Sequence, residues 1–304
     1  MSSTTKPRIE SDRLVMTLPR LAEKKRLGEP IVMITAYDFP SAQIAEEADV
    51  DLVLVGDSGA EVVLGYPSTV SVSLEEMLML AGAVHRGLRT PLLVGDLPFG
   101  SYEASDEVAV RSAQRFVKEA GVDAVKLEGG GPAQRARVSA IVAAGIPVMG
   151  HVGLTPQSAV ALGGRRAQGR TADRALEVAR QARALEAAGC FAIVFEAIPA
   201  AVASDLTRLL TIPVIGIGAG PATDGQVLVL HDLLGIYPGA APRHSKQYAD
   251  LHAQMLAAVG EYALEVRTGR FPSIENTFSI DPEEYEKLAI ALRSPLFGKE
   301  ESTG

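Results

Sequence analysis

Tryptophan is missing from this chain, and aromatic residues of all kinds make up 5% of it. That is too few for the stacking platforms on which single-stranded nucleic acids lie. Cysteine occurs once, as Cys190, so there can be no internal disulfide framework, and a reducing, cytoplasmic setting is expected. Positive charge is also scarce, with 29 Lys and Arg against 37 Asp and Glu and a net charge of −8. An acidic balance of this kind argues against non-specific nucleic-acid binding. Long apolar runs are absent too. The first residues, MSSTTKPRIESDRLVM, lack the apolar segment of a signal peptide. Nowhere do 18 apolar residues follow one another, so no membrane-spanning helix and no membrane partner are expected.

What the chain does contain is short apolar runs, with 47% hydrophobic residues over 304 positions. Strands are expected at IVMITAY (31–37), DLVLVGD (51–57), PLLVGD (91–96), DAVKLE (123–128), IPVMGH (146–151), FAIVFEA (191–197), PVIGIGAG (213–220) and VLVLHD (227–232). They lack polar alternation, as strands covered on both faces do. Between them lie stretches with helical spacing, such as SLEEMLMLAGAVHRG and TADRALEVARQARALEAAG. This alternation predicts a parallel (β/α)8 barrel of the TIM type, with a doubly wound open sheet as the alternative. One junction, PATDGQ (221–226), is too short for a helix. The expected organisation is a polar arm over 1–16, a barrel over 17–279 and a C-terminal extension over 280–304.

In such a barrel the chemistry belongs at the C-terminal strand ends. Those ends carry Tyr37 and Asp38, Asp57 and Ser58, Asp96, Lys126 and Glu128, His151, Glu196, and His231 and Asp232. The opposite ends read as plain turn residues. Asp57, Asp96 and Glu128 come from three successive strands and offer hard oxygen ligands, which suit Mg²⁺ better than Zn²⁺. The competing reading is that each aspartate caps the element that follows. Lys126 can hold a substrate carboxylate or keto oxygen, or pair with Asp96 or Glu128. His151 is a carboxylate donor or a hydrogen-bonded rim residue. Glu196 interrupts an apolar strand; burial would raise its pKa and suit it to general-base work, unless an arginine pairs with it. Two further segments are ambiguous. GIGAG (216–220) is followed by Pro221 and does not open a helix as a dinucleotide-binding turn does. The arginines of GGRRAQGR (Arg165, Arg166, Arg170) form either a solvated loop or a contact for an anionic substrate tail.

Several of these segments occur together with others: VGDS (55–58), GYPST (65–69), DLPFGSY (96–102), VKLEGG (125–130), GHVGLTPQS (150–158), GGRRAQGR (163–170) and IPVIGIGAGPATDGQVLVLHD (212–232). As a set they resemble the ketopantoate hydroxymethyltransferases, from about Thr17 to Phe278. The resemblance implies a (β/α)8 barrel that uses Mg²⁺ to move a one-carbon unit from 5,10-methylenetetrahydrofolate to 2-oxoisovalerate, in pantothenate biosynthesis. It implies metal binding by Asp57 and Asp96 with Glu128 beside them, and oxo-acid binding by Ser58, Lys126 and His151. It implies that Glu196 takes the role of base and that the assembly is a homo-oligomer, commonly a decamer. Glu61, where the family usually has an uncharged residue, and Asn276, where it usually has histidine, depart from the pattern. The rival readings are a paralogue acting on another 2-oxo acid, a carbon–carbon lyase or mutase of the phosphoenolpyruvate mutase/isocitrate lyase superfamily, and a catalytically silent barrel. The lyases resemble one another in using a cysteine acid in a strand-end loop, whereas Cys190 opens a strand and reads as a packing residue.

Overall fold

The computed structural model describes residues 14–239 and 242–294. They divide into two compact units, with the boundary between Asp250 and Leu251. In the first unit the strands are β1 (Ile31–Thr35), β2 (Leu52–Val55), β3 (Leu92–Asp96), β4 (Ala124–Lys126), β5 (Val148–Gly153), β6 (Ala192–Glu196), β7 (Val214–Ile217) and β8 (Gly225–Leu228). Every strand runs parallel to its sequence neighbours, and β8 closes on β1. The chain is therefore a closed (β/α)8-type barrel and not an open sheet.

The helices are α1 (Leu18–Leu27), α2 (Phe39–Glu47), α3 (Gly59–Val62), α4 (Leu74–His85), α5 (Asp106–Arg115), α6 (Pro132–Ala143), α7 (Ala172–Ala187), α8 (Ala200–Leu209) and α9 (Leu230–Leu234). Their starts are legible in the sequence. Thr17 caps α1, Ser105 caps α5 and Thr171 caps α7, each accepting a backbone N–H of the first turn. Ser73 and Glu76 form a reciprocal capping box at α4.

Strand alternation divides the apolar residues into two cores. Met33, Leu52, Leu54, Val94, Met149 and Val194 fill the barrel, and Leu21 of α1 packs into the same cluster. Val53, Val55, Leu93, Val125, Ile193 and Phe195 face outward against the helices. Each such side chain contributes about 1.5–3 kcal/mol when taken fully out of water. The PATDGQ junction forms no helix, and on the β8/β1 seam two outward-facing residues are exposed. Val32 there is 50% exposed, and Gln226 is exposed as well.

Two sequence expectations need correction. The last strand begins two residues earlier than expected and stops at Leu228, because Gly225 and Gln226 pair with Ile31 and Val32. His231 and Asp232 consequently lie on α9, not on a strand. The N-terminal ends also carry more than turn residues. Asp51 binds Lys24 at 2.7 Å, Asp224 binds Lys25 at 2.8 Å, and Asp123 Oδ2 accepts the Leu93 N–H. These aspartates fasten α1 and neighbouring strands at the floor of the barrel.

The second unit contains α10 (Leu251–Arg267) and α11 (Pro282–Leu292), the latter capped by Asp281. Asn276 lies in a short turn of this unit, where its Oδ1 accepts from Ser273. Residues 1–13 of the expected arm and 295–304 of the expected extension lie outside the described residues.

Candidate active site

At the C-terminal end of the barrel lies a cavity of about 720 Å³. Asp57, Ser58, Asp96, Lys126, Glu128, His151 and Glu196 all line it. Parallel register explains much of this convergence. Asp96 on β3 is the direct partner of Lys126 on β4, and the Lys126 ammonium meets Asp96 Oδ1 at 2.7 Å. Two residues on, Glu128 returns to the same face. Next to Asp96, Gly95 lets the Phe116 ring pack against the outer face of β3, since a Cβ there would stand 2.5 Å from that ring.

His151 stands between two carboxylates. Its Nδ1 is 3.4 Å from Glu128 Oε1, and its Nε2 is 3.3 Å from Glu196 Oε2. The backbone N–H of Asp57 donates to Asp96 Oδ2 at 3.2 Å. Ser58 Oγ is 2.9 Å from the hydroxyl of buried Tyr37. The structure thus brings the seven residues expected to bind metal or oxo acid or to act as base to one cavity, and Asp232 with them, whereas Tyr37, Asp38 and His231 do not line it.

The electrostatics follow from burial. Asp57 is driven well above the usual carboxylate range by desolvation and by repulsion from Asp96 and Glu128. Asp96 is raised too, again mainly by burial, although Lys126 opposes the shift. Burial would also discharge Lys126, but Asp96, Glu128 and Asp57 together carry it above its normal value. Burial and Lys126 both work against a charged His151, yet Glu128 and Glu196 lift it to about 9. Glu128 is desolvated, but hydrogen bonds from His151 and the Gln157 N–H leave it below the usual range. Glu196 is less enclosed than the sequence suggests. Its side chain is 16% exposed and pairs with His151, not with an arginine.

Two participants escaped the sequence reading. Gln157 donates its side-chain amide to Asp57 Oδ2 and to the Leu97 carbonyl, both at 3.0 Å. Its backbone N–H donates to Glu128 Oε2 at 2.9 Å, and the Tyr102 hydroxyl donates to its Oε1 at 2.5 Å. The sequence signal was an amide in the loop after β5, a residue type with no unique chemistry. Thr69 is the second. Its buried hydroxyl lines the cavity and has no hydrogen-bond partner. The arginine loop divides: Arg165 and Arg166 line the cavity, and Arg165 pairs with Glu61. Cys190 is buried at the start of β6, and burial lifts its thiol to about 12.

Residues 15–274 match the ketopantoate hydroxymethyltransferase family. The chain belongs to that family. Among its relatives, the 3-methyl-2-oxobutanoate hydroxymethyltransferase of Heliobacterium modesticaldum is 51% identical over 268 residues, covering 88% of this chain and 97% of that one. The enzyme of the same name from Moorella thermoacetica is 53% identical, covering 88% of this chain and 99% of its own. Similar folds reach further. A solved 2,3-dimethylmalate lyase of the PEP mutase/isocitrate lyase superfamily superposes with a TM-score of 0.57 at 16% identity, covering 91% of this chain and 95% of that one. A phosphonopyruvate hydrolase complexed with oxalate and Mg²⁺ gives 0.57 at 14% identity, covering 93% of this chain and all of the other. At these identities the likeness is one of fold.

Proposed function

We propose that the chain transfers a hydroxymethyl group from 5,10-methylenetetrahydrofolate to 2-oxoisovalerate, giving ketopantoate. Family membership supports the reaction class. The observation that carries the assignment of residues is the gathering of Asp57, Asp96, Glu128, Glu196, Lys126 and His151 in one cavity.

A divalent cation, Mg²⁺, fits this site on the chemistry of its donors. Asp57 and Asp96 crowd two hard-oxygen carboxylates together, and the repulsion that raises Asp57 is what a cation would relieve. Among the described residues no three His, Cys, Asp or Glu side chains form a ready metal cage. The fit is therefore to an ion held by Asp57 and Asp96, with Glu128 beside them and remaining positions left to water and substrate, as Mg²⁺ tolerates. Such an ion would supply Lewis-acid polarisation of the 2-oxo acid.

The chain's own residues do the rest. Lys126 and the protonated His151 offer positive charge to the substrate carboxylate and to the oxygen on which charge develops when C3 is deprotonated. Ser58 adds a hydroxyl, oriented by Tyr37. Glu196, at the open side of the cluster, takes the C3 proton. One water hydrolyses the folate methylene to the formaldehyde level, both C–N bonds break and tetrahydrofolate leaves; the C3 nucleophile then adds to that carbon, and its oxygen takes a proton to become the new hydroxyl. Leu54, Val194, Ile217 and Val227 line the same cavity and suit a branched aliphatic side chain. The lyase alternative lacks support, because Cys190 lies away from the cavity and stays a buried thiol. A homo-oligomer, by resemblance a decamer, and a cytoplasmic setting belong to the same proposal. Among the described residues no helix is long and apolar enough to cross a membrane.

The test is formation of ketopantoate from 2-oxoisovalerate and methylenetetrahydrofolate, with and without EDTA. Ketopantoate that disappears on chelation and returns with Mg²⁺ is the expected result. A protein that makes none with Mg²⁺ present would overturn the reading.

A further inference from the structure

Most charged contacts of the barrel unit lie on its helical exterior, at its floor, or deep in the carboxylate cluster. One pair spans the mouth. Glu61 on α3 reaches Arg165 in the loop that follows β5, 104 positions away in sequence. The two strands that launch these residues are separated by β3 and β4. Both side chains line the cavity; Glu61 is partly sheltered at 25% exposure, and Arg165 is 52% exposed.

Position makes the pair relevant to substrate. Glu61 lies three residues beyond Ser58, one turn further from the inner cluster. The Arg165 guanidinium is held charged first by Glu61, and Glu196 and Asp57 also act on it. It is thus a cation within electrostatic reach of the reacting groups whose charge is already answered. Deeper in the cavity, Lys126 and His151 are already committed to the substrate carboxylate and its oxo oxygen, with apolar Leu54, Val62 and Leu154 among the lining residues. A substrate with a second carboxylate on its side chain would have to place it near this mouth. There it would meet Glu61 as a like charge and Arg165 as an occupied partner.

We propose that the Glu61–Arg165 pair is a specificity device, which admits 2-oxo acids with an uncharged side chain and excludes those carrying a second carboxylate. Selection of this kind works by an unfavourable contact with the wrong ligand, not by a better contact with the right one. The inference rests on the proposed 2-oxo acid chemistry.

The experiment follows deuterium uptake at C3 by proton NMR, with Mg²⁺ and without folate, for 2-oxoisovalerate and for 2-oxoglutarate. Binding of each acid is measured in parallel by calorimetry. Wild type should favour 2-oxoisovalerate. Glu61→Gln should move the ratio of the two acids about tenfold toward 2-oxoglutarate, in exchange and in affinity. Glu61→Met should move it the same way, which guards against a folding defect peculiar to one variant. Adding Arg165→Gln to Glu61→Gln should return the ratio toward wild type. A ratio unchanged within about twofold in both Glu61 variants overturns the proposal. So does a gain that survives loss of Arg165, since Arg166 and Arg243 also line the cavity and would then be the readers. Wild type that exchanges and binds neither acid overturns this inference and the function proposed above together. Wild type that handles 2-oxoisovalerate while the variants show no shift removes only the role of the pair.

Discussion

The side-chain amide of Gln157 donates to Asp57 Oδ2 at 3.0 Å, while the backbone N–H of the same residue donates to Glu128 Oε2 at 2.9 Å. A single residue in the loop after β5 thereby fixes two carboxylates that come from two other strands. The Tyr102 hydroxyl donates to Gln157 Oε1 and so decides which end of the amide faces Asp57.

Gln157→Leu should accordingly weaken Mg²⁺ or Mn²⁺ binding, measured by calorimetry in the presence of 2-oxoisovalerate, by about 10–100-fold, the usual cost of losing a group that orients a ligand. Gln157→Glu should weaken it less, because the amide donor is lost but a third carboxylate joins Asp96 and Glu128 beside Asp57, and a cation relieves that repulsion. Metal affinity equal to wild type in both variants would show that Asp57 needs no such support.

Glu196→Gln separates binding from proton transfer. The amide keeps the shape of the side chain but cannot take the C3 proton. Deuterium exchange at C3 of 2-oxoisovalerate should fall by about 10²–10⁴-fold, the usual contribution of a positioned base, while affinity for the oxo acid changes little. Exchange at the wild-type rate would remove Glu196 from the reaction.

Both variants test residues that the sequence disclosed to different degrees. The barrel was legible because parallel strands with two covered faces leave uninterrupted apolar runs, and polar endings such as Asp96, Lys126 and His151 mark one rim. Register then supplied what sequence spacing could not. The Asp96–Lys126 pair exists because these residues are opposite each other on β3 and β4. Gln157 was not legible, since its role arises from a loop fold that brings one amide to Asp57 at a separation of 100 positions. The end of the last strand was misread because apolar VLVL continues into α9. Helix and strand look alike over so short an apolar run. Glu61 was visible only as an unexpected charge, and its partner Arg165 only as part of a basic loop.

The Lys126–Asp96 pair carries a stability prediction. Both side chains are almost fully buried, at 4% and 2% exposure. Lys126→Met leaves Asp96 desolvated beside Asp57 and Glu128 and should lower the unfolding free energy by about 3–5 kcal/mol in metal-free protein. The double variant Lys126→Met/Asp96→Asn should recover part of the loss, because it removes the orphaned charge. Urea unfolding in EDTA measures both, and a single-variant loss below about 1 kcal/mol would mean that the cluster relaxes by protonation.

His151 supplies the pH dependence. Its folded pKa of about 9 lies above its ordinary value, so the folded state binds the proton more tightly than the unfolded chain does. The stability this contributes is complete below the unfolded pKa of about 6.5 and is lost as pH rises through about 9. Metal-free wild type should therefore lose unfolding free energy between those limits more steeply than His151→Gln does. Equal slopes for the two proteins would mean that His151 is neutral throughout, and the charge offered to the substrate would then come from Lys126 alone.

The turn at Gly153 offers a test of how β5 delivers its loop to the cavity. Gly153 ends β5 with φ at +99°, in the region that favours glycine. A Cβ there would stand 2.2 Å from the carbonyl oxygen of Glu196, its register partner on β6. No side chain can yield to relieve this contact, because the obstacle is the backbone of the strand that carries Glu196. Gly153→Ala should therefore push β5 and β6 apart at the rim, displacing the His151–Glu196 contact and the Gln157 loop together. The expected result is a loss of about 1–3 kcal/mol in stability, typical of strain at a special backbone position. C3 exchange should fall by more than that loss explains, measured on the folded fraction. An alanine variant with wild-type stability and exchange would show that this rim is softer than its backbone contacts require.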